Sequence, residues 1–119
     1  KMKSCLFIHR KPPHSSLATR EALDAALASA AFGVETALLF VDDGVFQLRT
    51  RQEPAAAHLK RTAPMFEALD LYGVEQRFVC TDSLAARGMA ANDLIIPVQP
   101  VSAADMPALL ARYDHILTF

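Results

Sequence analysis

The apolar residues of this chain fall into short runs and into longer stretches in which they recur about every 3.6 positions. Short apolar runs bounded by turn residues are typical of strands covered on both faces, and the 3.6 periodicity is typical of amphipathic helices. Pro97 lies in the fourth run, where it indicates a strand end or an edge position, because proline cannot donate to a ladder. The five runs that we predict to be strands are Ser4–His9, Val34–Val41, Glu75–Cys80, Asp93–Val98 and His115–Phe119.

Four helices are predicted between these strands, each with a recognisable start or end. Glycine, the residue that most readily adopts the left-handed conformation after a helix, ends three of them at Gly33, Gly73 and Gly88. Asp105 is expected to cap the fourth, because a start three residues earlier would place Pro107 beyond the first turn. The residues expected to face the core are Leu17, Leu23, Leu27, Ala30 and Ala31 in the first helix, Met65, Phe66, Leu69 and Tyr72 in the second, and Met106, Leu109, Leu110 and Tyr113 in the fourth.

Strands and helices alternate along the whole chain with short connections. This alternation predicts a three-layer α/β/α sandwich around a mostly parallel five-stranded sheet. The length of 119 residues, with 52% apolar and 21% charged residues, fits one domain over residues 1–119. The pattern is weakest from Phe46 to Arg61, where we expect a surface excursion with a helical turn after Pro54.

Charge and motifs exclude several classes of function. Twelve basic and thirteen acidic residues leave a net charge of −1, which does not favour direct binding to nucleic acid or to an anionic membrane. No signal peptide or apolar stretch of about 18 residues is evident, so we expect a cytosolic protein with reduced cysteines. The sequence has no phosphate-binding loop, dinucleotide fingerprint or nucleophile elbow, and its four histidines lack metal-site spacing. We therefore expect no cofactor and no metal.

Cys80 is the candidate for chemistry. It ends the third predicted strand, directly before a short helix opened by Thr81, Asp82 and Ser83, at the edge where parallel sheets bind ligands. Helix amides favour thiolate over thiol, and a thiolate there could accept a sulfur atom as a persulfide and pass it to another thiol. The alternative is that Cys80 is a small buried apolar residue. Cys5 lies inside the first strand and is assigned to the core.

Two further groups of residues allow more than one interpretation. His9 and His14 flank the proline-rich loop at this same edge and are either polar participants in a site or part of a solvated loop. Asp42 and Asp43 form either a metal-binding or acidic pair or, as we favour, a plain turn with a positive φ at Gly44.

The start of the first helix is a further candidate. Ser15, Ser16 and Thr19 could hold an anion with backbone amides, but helix capping by Ser15 or Ser16 explains the pattern equally well.

Several segments, taken together and in order, give the chain a family resemblance over nearly its full length. It resembles the TusC/DsrF branch of the DsrE/DsrF/DsrH-like sulfur-relay proteins. The segments that carry the resemblance are Thr19–Leu27 (TREALDAAL), Phe40–Leu48 (FVDDGVFQL), Leu71–Gln76 (LYGVEQ), Phe78–Cys80 (FVC), Arg87–Met89 (RGM) and Tyr113–Phe119 (YDHILTF).

The resemblance implies a subunit rather than a stand-alone enzyme. Members of this branch are similar in fold to TusB and TusD and assemble with them as a heterohexamer that holds two copies of each chain. That complex takes sulfane sulfur from TusA and passes it to TusE, for 2-thiouridine formation at the wobble position of certain tRNAs. The homologous DsrEFH complex serves dissimilatory sulfur oxidation instead.

The resemblance also bears on Cys80. In the family, the relay cysteine belongs to the TusD or DsrE subunit, at the strand end that Cys80 occupies here. We therefore expect a mainly structural partner of TusB-like and TusD-like chains. The alternatives are a persulfide carrier that uses Cys80 and a DsrF-like subunit in sulfur oxidation. Self-association of the isolated chain is left open.

Overall fold

Five parallel strands form the central sheet of the computed structural model, which describes residues 3–12, 18–48, 67–90, 94 and 97–119. Their order across the sheet is β4-β3-β2-β1-β5, and every neighbouring pair is parallel. The predicted α/β fold with a parallel sheet is therefore confirmed. The strands are β1 (Ser4–His9), β2 (Glu35–Phe40), β3 (Gln76–Cys80), β4 (Gln99–Val101) and β5 (His115–Thr118).

The helices lie on both faces of this sheet. From β1 to β4 the chain always steps in one direction, so right-handed crossovers place the helices between those strands on one face. The step back to β5, beside β1, places the last helix on the other face. The helices are α1 (Ala18–Ala31), α2 (residues 67–71 of the described chain), α3 (Thr81–Ala86) and α4 (Met106–Leu110), with 3-10 turns at Asp42–Leu48 and Ala103–Asp105.

Two apolar clusters fill the space on either side of the sheet, as expected when each strand has alternate residues on opposite faces. The larger cluster packs Leu23 of α1, Leu69 of α2 and Leu84 of α3 against the sheet. The smaller one packs Leu109 and Tyr113, in and just after α4, against the opposite face. The core assignment of Cys5 is confirmed, and it belongs to the larger cluster.

The first three helices end in the same way. In α1 the amide of Val34 donates to the carbonyl of Ser29, and the amide of Gly33 donates to that of Ala30. This pair of hydrogen bonds is the Schellman motif, and residues 69–74 and 84–89 repeat it. The predicted helix ends at Gly33, Gly73 and Gly88 are confirmed, and each of these glycines has a positive φ.

The apolar stripes are predicted only in part. Ala31 of α1 is exposed, whereas Ala22 and Ala26 are fully buried, because small side chains let the helix approach the sheet closely. Tyr72 is half exposed, since it follows the last turn of α2 and does not share the buried helix face. Predictions for Leu17, Met65, Phe66 and residues 49–61 lie outside the described residues.

The prediction for the fourth strand is wrong in position. Among the residues described, β4 begins at Gln99 and pairs with β3 from Phe78 to Cys80, while Pro97 and Val98 precede it. The predicted edge location is correct, and an edge strand tolerates Pro100. Of the predicted strand at 93–98, Asp93, Ile95 and Ile96 lie outside the described residues.

Two local expectations are corrected. Asp105 is the residue before α4, as predicted, but its side chain makes no cap bond there; the side-chain cap is made one turn earlier by Ser102, whose Oγ accepts a hydrogen bond from the Asp105 amide at 3.3 Å. The expected surface excursion does not begin at Phe46, because Gln47 and Leu48 are buried in a 3-10 turn.

Candidate functional site

The carboxyl ends of β1, β2 and β3 lie at one edge of the sheet, which we call the carboxyl edge. Because His9 is in register with Phe40, and Phe40 with Val79, the segments that follow these strands meet there. The edge is the place where an open parallel sheet binds ligands. It therefore brings together the predicted candidates His9, Asp42, Asp43 and Cys80.

Asp42 and Asp43 hold the carboxyl edge together through ion pairs. Arg10 Nε donates to Asp42 Oδ2 at 2.9 Å, and Arg87 Nε donates to Asp43 Oδ1 at 2.9 Å. These pairs link the 3-10 turn to the ends of β1 and α3. No group of three or more potential metal ligands is found among the described residues. The geometry supports the interpretation of a turn.

The unusual backbone of this turn is at Asp42, not at Gly44. Asp42 has a φ of 51°, a conformation that aspartate tolerates better than most residues. Its amide donates to Ser83 Oγ at 2.9 Å, which ties the turn to α3. The expected positive φ at Gly44 is wrong.

Gly44 is required for a different reason. A Cβ built on Gly44 would collide with the main-chain carbonyl of His9 and lie 3.1 Å from the amide nitrogen of Arg10. A real Cβ cannot occupy this space unless the backbone moves. Close approach of two main chains therefore explains the glycine in the Asp-Asp-Gly sequence.

His9 is a core residue rather than part of a solvated loop. The residue is 1% exposed, its ring stacks on Phe40 with the ring centroids 4.8 Å apart, and the ring centroid of Phe119 lies 6.3 Å away. Neither ring nitrogen has a hydrogen-bond partner among the described residues. Burial disfavours the charged imidazolium and lowers the pKa of His9 from 6.5 to about 4. His9 is therefore neutral at physiological pH, which does not suit a proton-transfer role there.

Cys80 occupies the predicted place, as the last residue of β3 and the residue before α3. Cys80 is not in a disulfide, and only 6% of the residue is exposed. The residues around it are fixed by contacts to the β4 region: Asp82 Oδ1 accepts from the Ala103 amide at 2.9 Å, and Val101 pairs with Cys80 itself. Because so little of Cys80 is exposed, sulfur transfer to it would require the surrounding residues to move.

Cys5 lies away from this edge, as the second residue of β1. It lies in β1 within the larger apolar cluster, and burial raises the pKa of its thiol. A buried thiol with a raised pKa is unreactive. Both cysteines are free, so they do not form a disulfide.

Other predicted site residues are only partly described. His14, Ser15 and Ser16 lie outside the described residues, and Thr19 is in the first turn of α1. An anion site at the start of α1 therefore stays a prediction.

Sequence reasoning missed the partners of the acidic turn. Arg10 and Arg87 are 32 and 44 residues away from the aspartates that they bind, so no local spacing reveals the pairs. Gln47 was missed as well: it is buried and its amide donates to the Lys11 carbonyl at 2.9 Å. Only the sheet order brings these residues together.

Comparison with known proteins assigns this arrangement to a family. The model of the DsrE/DsrF-like family matches residues 3–119. The chain belongs to this DsrE/DsrF-like family. A TusC homolog of Vibrio parahaemolyticus is 41% identical over 118 residues, which cover 99% of this chain and all of that protein. A TusC homolog of Pasteurella multocida is 44% identical over 115 residues, which cover 95% of this chain and 97% of that protein.

These relatives place the chain in the TusC/DsrF branch, as the resemblance predicted. Protein TusC of Escherichia coli O157:H7 is 40% identical over 119 residues, covering 99% of this chain and 100% of that one. Among solved structures, the ychN protein of E. coli has a TM-score of 0.81 at 21% identity and covers 99% and 100% of the two chains. That structure shows the shared fold. None of the described helices is long and apolar enough to span a membrane.

Proposed function

We propose that this DsrE/DsrF-like chain is a mainly structural subunit of a heteromeric sulfur-relay complex in the cytoplasm. The observation that carries the proposal is the identity of about 40% to proteins named TusC, over essentially the full length of both chains. The carboxyl edge is consistent with it: acidic and basic side chains there pair with one another, His9 is neutral, and Cys80 is covered.

In this proposal the partners are TusB-like and TusD-like subunits, and the complex receives sulfur from a TusA-like donor and delivers it to a TusE-like acceptor. The delivered sulfur is used for 2-thiouridine formation at the tRNA wobble position. Co-expression of the chain with the TusB-like and TusD-like chains of the same genome should give a stable complex by size-exclusion chromatography. Recovery of the chain only by itself under mild conditions would contradict the proposal.

Deletion of the gene provides the functional test. We expect the deletion to abolish wobble 2-thiouridine, measured by mass spectrometry of digested tRNA, and the wild-type gene to restore it. A subunit that serves sulfur oxidation instead would leave tRNA thiolation unchanged and impair growth on reduced sulfur.

A second candidate function is a persulfide carrier that uses Cys80, which the position of Cys80 at the carboxyl edge favours. The structural proposal predicts that Cys80→Ser restores thiolation as well as the wild type, with Cys5→Ser as the matched cysteine control. The carrier proposal predicts loss of thiolation in Cys80→Ser alone. It also predicts that a persulfide donor adds one sulfur atom to the wild type but not to Cys80→Ser, by intact mass.

A further inference from the structure

The last strand, β5, forms one edge of the sheet, and all four of its residues are exposed. It pairs with β1 on one side, and no strand of the described chain pairs with its other side. Ile116, 41% exposed, is in register with Leu6 of the smaller apolar cluster. Leu117, 47% exposed, is in register with Phe7 of the larger one. This edge of the sheet is therefore apolar on both faces.

The main chain of β5 presents hydrogen-bonding groups at the open side. Phe119, directly after β5, donates its amide to the Ile8 carbonyl at 2.8 Å and accepts from the Arg10 amide at 2.9 Å. The main-chain groups of Phe119 therefore face β1. Because these groups alternate from one side of a strand to the other, those of Ile116 and Thr118 point away from β1. Two amides and two carbonyls thus lie along the open edge.

The two edges of the sheet differ in their resistance to further pairing. The other edge strand, β4, has only three residues and contains Pro100, which has no amide hydrogen to donate. Proteins commonly protect exposed edges with proline or with charged side chains. β5 contains no proline, lysine, arginine, aspartate or glutamate. The edge at β5 is therefore the one that can accept another strand.

This edge is complementary to itself. In an antiparallel pair of two copies centred on Leu117, Ile116 of each copy exchanges two hydrogen bonds with Thr118 of the other. Leu117 then lies opposite its own copy in a non-hydrogen-bonded pair, where side chains are close. Like charges do not meet, because β5 has no acidic or basic residue. A two-fold axis at Leu117 thus pairs all the outward main-chain groups of the strand.

From these observations we infer that the β5 edge pairs antiparallel with β5 of a second copy of this chain, about a two-fold axis at Leu117. The inference does not depend on the proposed function, which concerns contacts with other subunits. A pair of four-residue strands buries far less than the roughly 800 Å² per partner of a typical stable interface. This contact by itself should therefore give a weak dimer, which contacts by other subunits would strengthen in a larger complex.

Disulfide trapping of the full-length chain tests the pairing, because it detects weak dimers. Leu117→Cys places two thiols across the axis, where a Cα–Cα distance of about 4.5 Å is suitable for a disulfide. Under mild oxidation this variant should form a covalent dimer at least about tenfold faster than the wild type, measured by non-reducing electrophoresis. The wild type gives the background, since both of its cysteines are buried.

The register of the pair provides matched controls on the same strand. Ile116→Cys alone should stay at background, because residue 116 and its copy lie diagonally, about 7–8 Å apart, beyond the span of a disulfide. Thr118→Cys alone should stay at background for the same reason. A mixture of the two variants should cross-link, since residue 116 of one copy lies opposite residue 118 of the other.

A proline variant separates strand pairing from simple proximity. In Leu117→Cys/Thr118→Pro the outward amide of residue 118 is lost, whereas the donors that face β1 remain. Circular dichroism should show an unchanged fold, and cross-linking should fall to the rate of the Ile116→Cys control.

Three outcomes would overturn the pairing. The first is cross-linking of Leu117→Cys no faster than the wild type. The second is equal cross-linking of Leu117→Cys and Ile116→Cys, which would indicate random collision of exposed thiols. The third is cross-linking of Leu117→Cys to a TusB-like or TusD-like subunit of the co-expressed complex, and not to its own copy. None of these outcomes contradicts the proposed function, whereas a chain that binds neither subunit would overturn that function and leave the pairing of β5 intact.

Discussion

At the scale of single residues, burial decides chemistry more than residue type does. His9 and Cys80 both lie at the carboxyl edge, as predicted, but both are buried in the folded chain. For His9 the consequence is a neutral ring between aromatic neighbours. This burial couples the free energy of unfolding to pH.

The stability of the protein should fall in mild acid because of His9. The unfolded state binds a proton near pH 6.5 and the folded state only near pH 4, so the unfolded state holds more protons between these values. The contribution is full above the unfolded pKa and is lost as the pH falls towards 4. We expect a loss of about 2 kcal/mol between about pH 7.5 and about pH 5, measured by urea unfolding.

The control for this prediction is His9→Phe, which keeps a buried aromatic ring without a titrating group. Between about pH 7.5 and about pH 5, its free energy of unfolding should fall by about 2 kcal/mol less than that of the wild type. Identical pH dependence in the two proteins would show that another group is responsible.

Gly44 and Gly33 allow a second comparison at this scale. Gly44→Ala should destabilise the protein by about 3 kcal/mol or more, because the added Cβ meets the His9 main chain. Gly33→Ala meets no atom within 4 Å but keeps a positive φ, so it should cost only about 1 kcal/mol. Urea unfolding measures both, and an equal cost would contradict the close approach at Gly44.

At the scale of elements, ion pairs connect segments that are distant in sequence, and their energetic weight depends on burial. Arg77 of β3 has a side chain that is only 9% exposed, and its NH2 group donates to Asp70 of α2 at 2.8 Å. The pair between Arg10 and Asp42 has both side chains about half exposed. Solvent screens the second pair much more than the first.

Replacement of Asp70 should therefore lower the free energy of unfolding more than replacement of Arg10. In Asp70→Asn the buried guanidinium of Arg77 loses its charged partner, and we expect the free energy of unfolding to fall by about 1–2 kcal/mol. Arg10→Gln should cost less than about 1 kcal/mol. Chemical unfolding of the two variants under the same conditions provides the measurement, and the reverse ranking would show that the exposure of Asp70 outweighs the burial of Arg77.

At the scale of the whole molecule, the sheet order separates two edges with different surfaces. The carboxyl edge holds paired charges and the buried Cys80, whereas the exposed apolar residues Phe32 and Leu71 lie at the ends of α1 and α2, towards the opposite edge. An exposed apolar surface and a net charge of −1 favour protein partners over polyanions.

The isolated chain should accordingly not bind tRNA, even though the proposed pathway ends on tRNA. In filter-binding assays at physiological salt, we expect no saturable tRNA binding at protein concentrations below about 10⁻⁴ M, where only non-specific electrostatic binding by basic proteins would be seen. A lysine-rich protein of similar size is a positive control. Tight binding that weakens steeply with salt would contradict this expectation.

The sequence by itself determined the elements whose signals are local. The bounds of β1 are confirmed exactly as predicted, and the three glycine helix ends are confirmed, because apolar runs and left-handed caps depend on adjacent residues only. The prediction failed at β4, where Pro97 ended an apolar run before the pairing with β3 began at Gln99.

Only the tertiary structure decided which distant residues meet. The pairing of Arg87 with Asp43, the approach of Gly44 to His9 and the exposure of Phe32 depend on sheet order and on how closely the layers pack. Sequence patterns report which side of an element is apolar, but they do not report which element covers it. The family and the fold class could therefore be predicted from residues, while the burial of Cys80 and the ion pairs at the carboxyl edge required the folded chain.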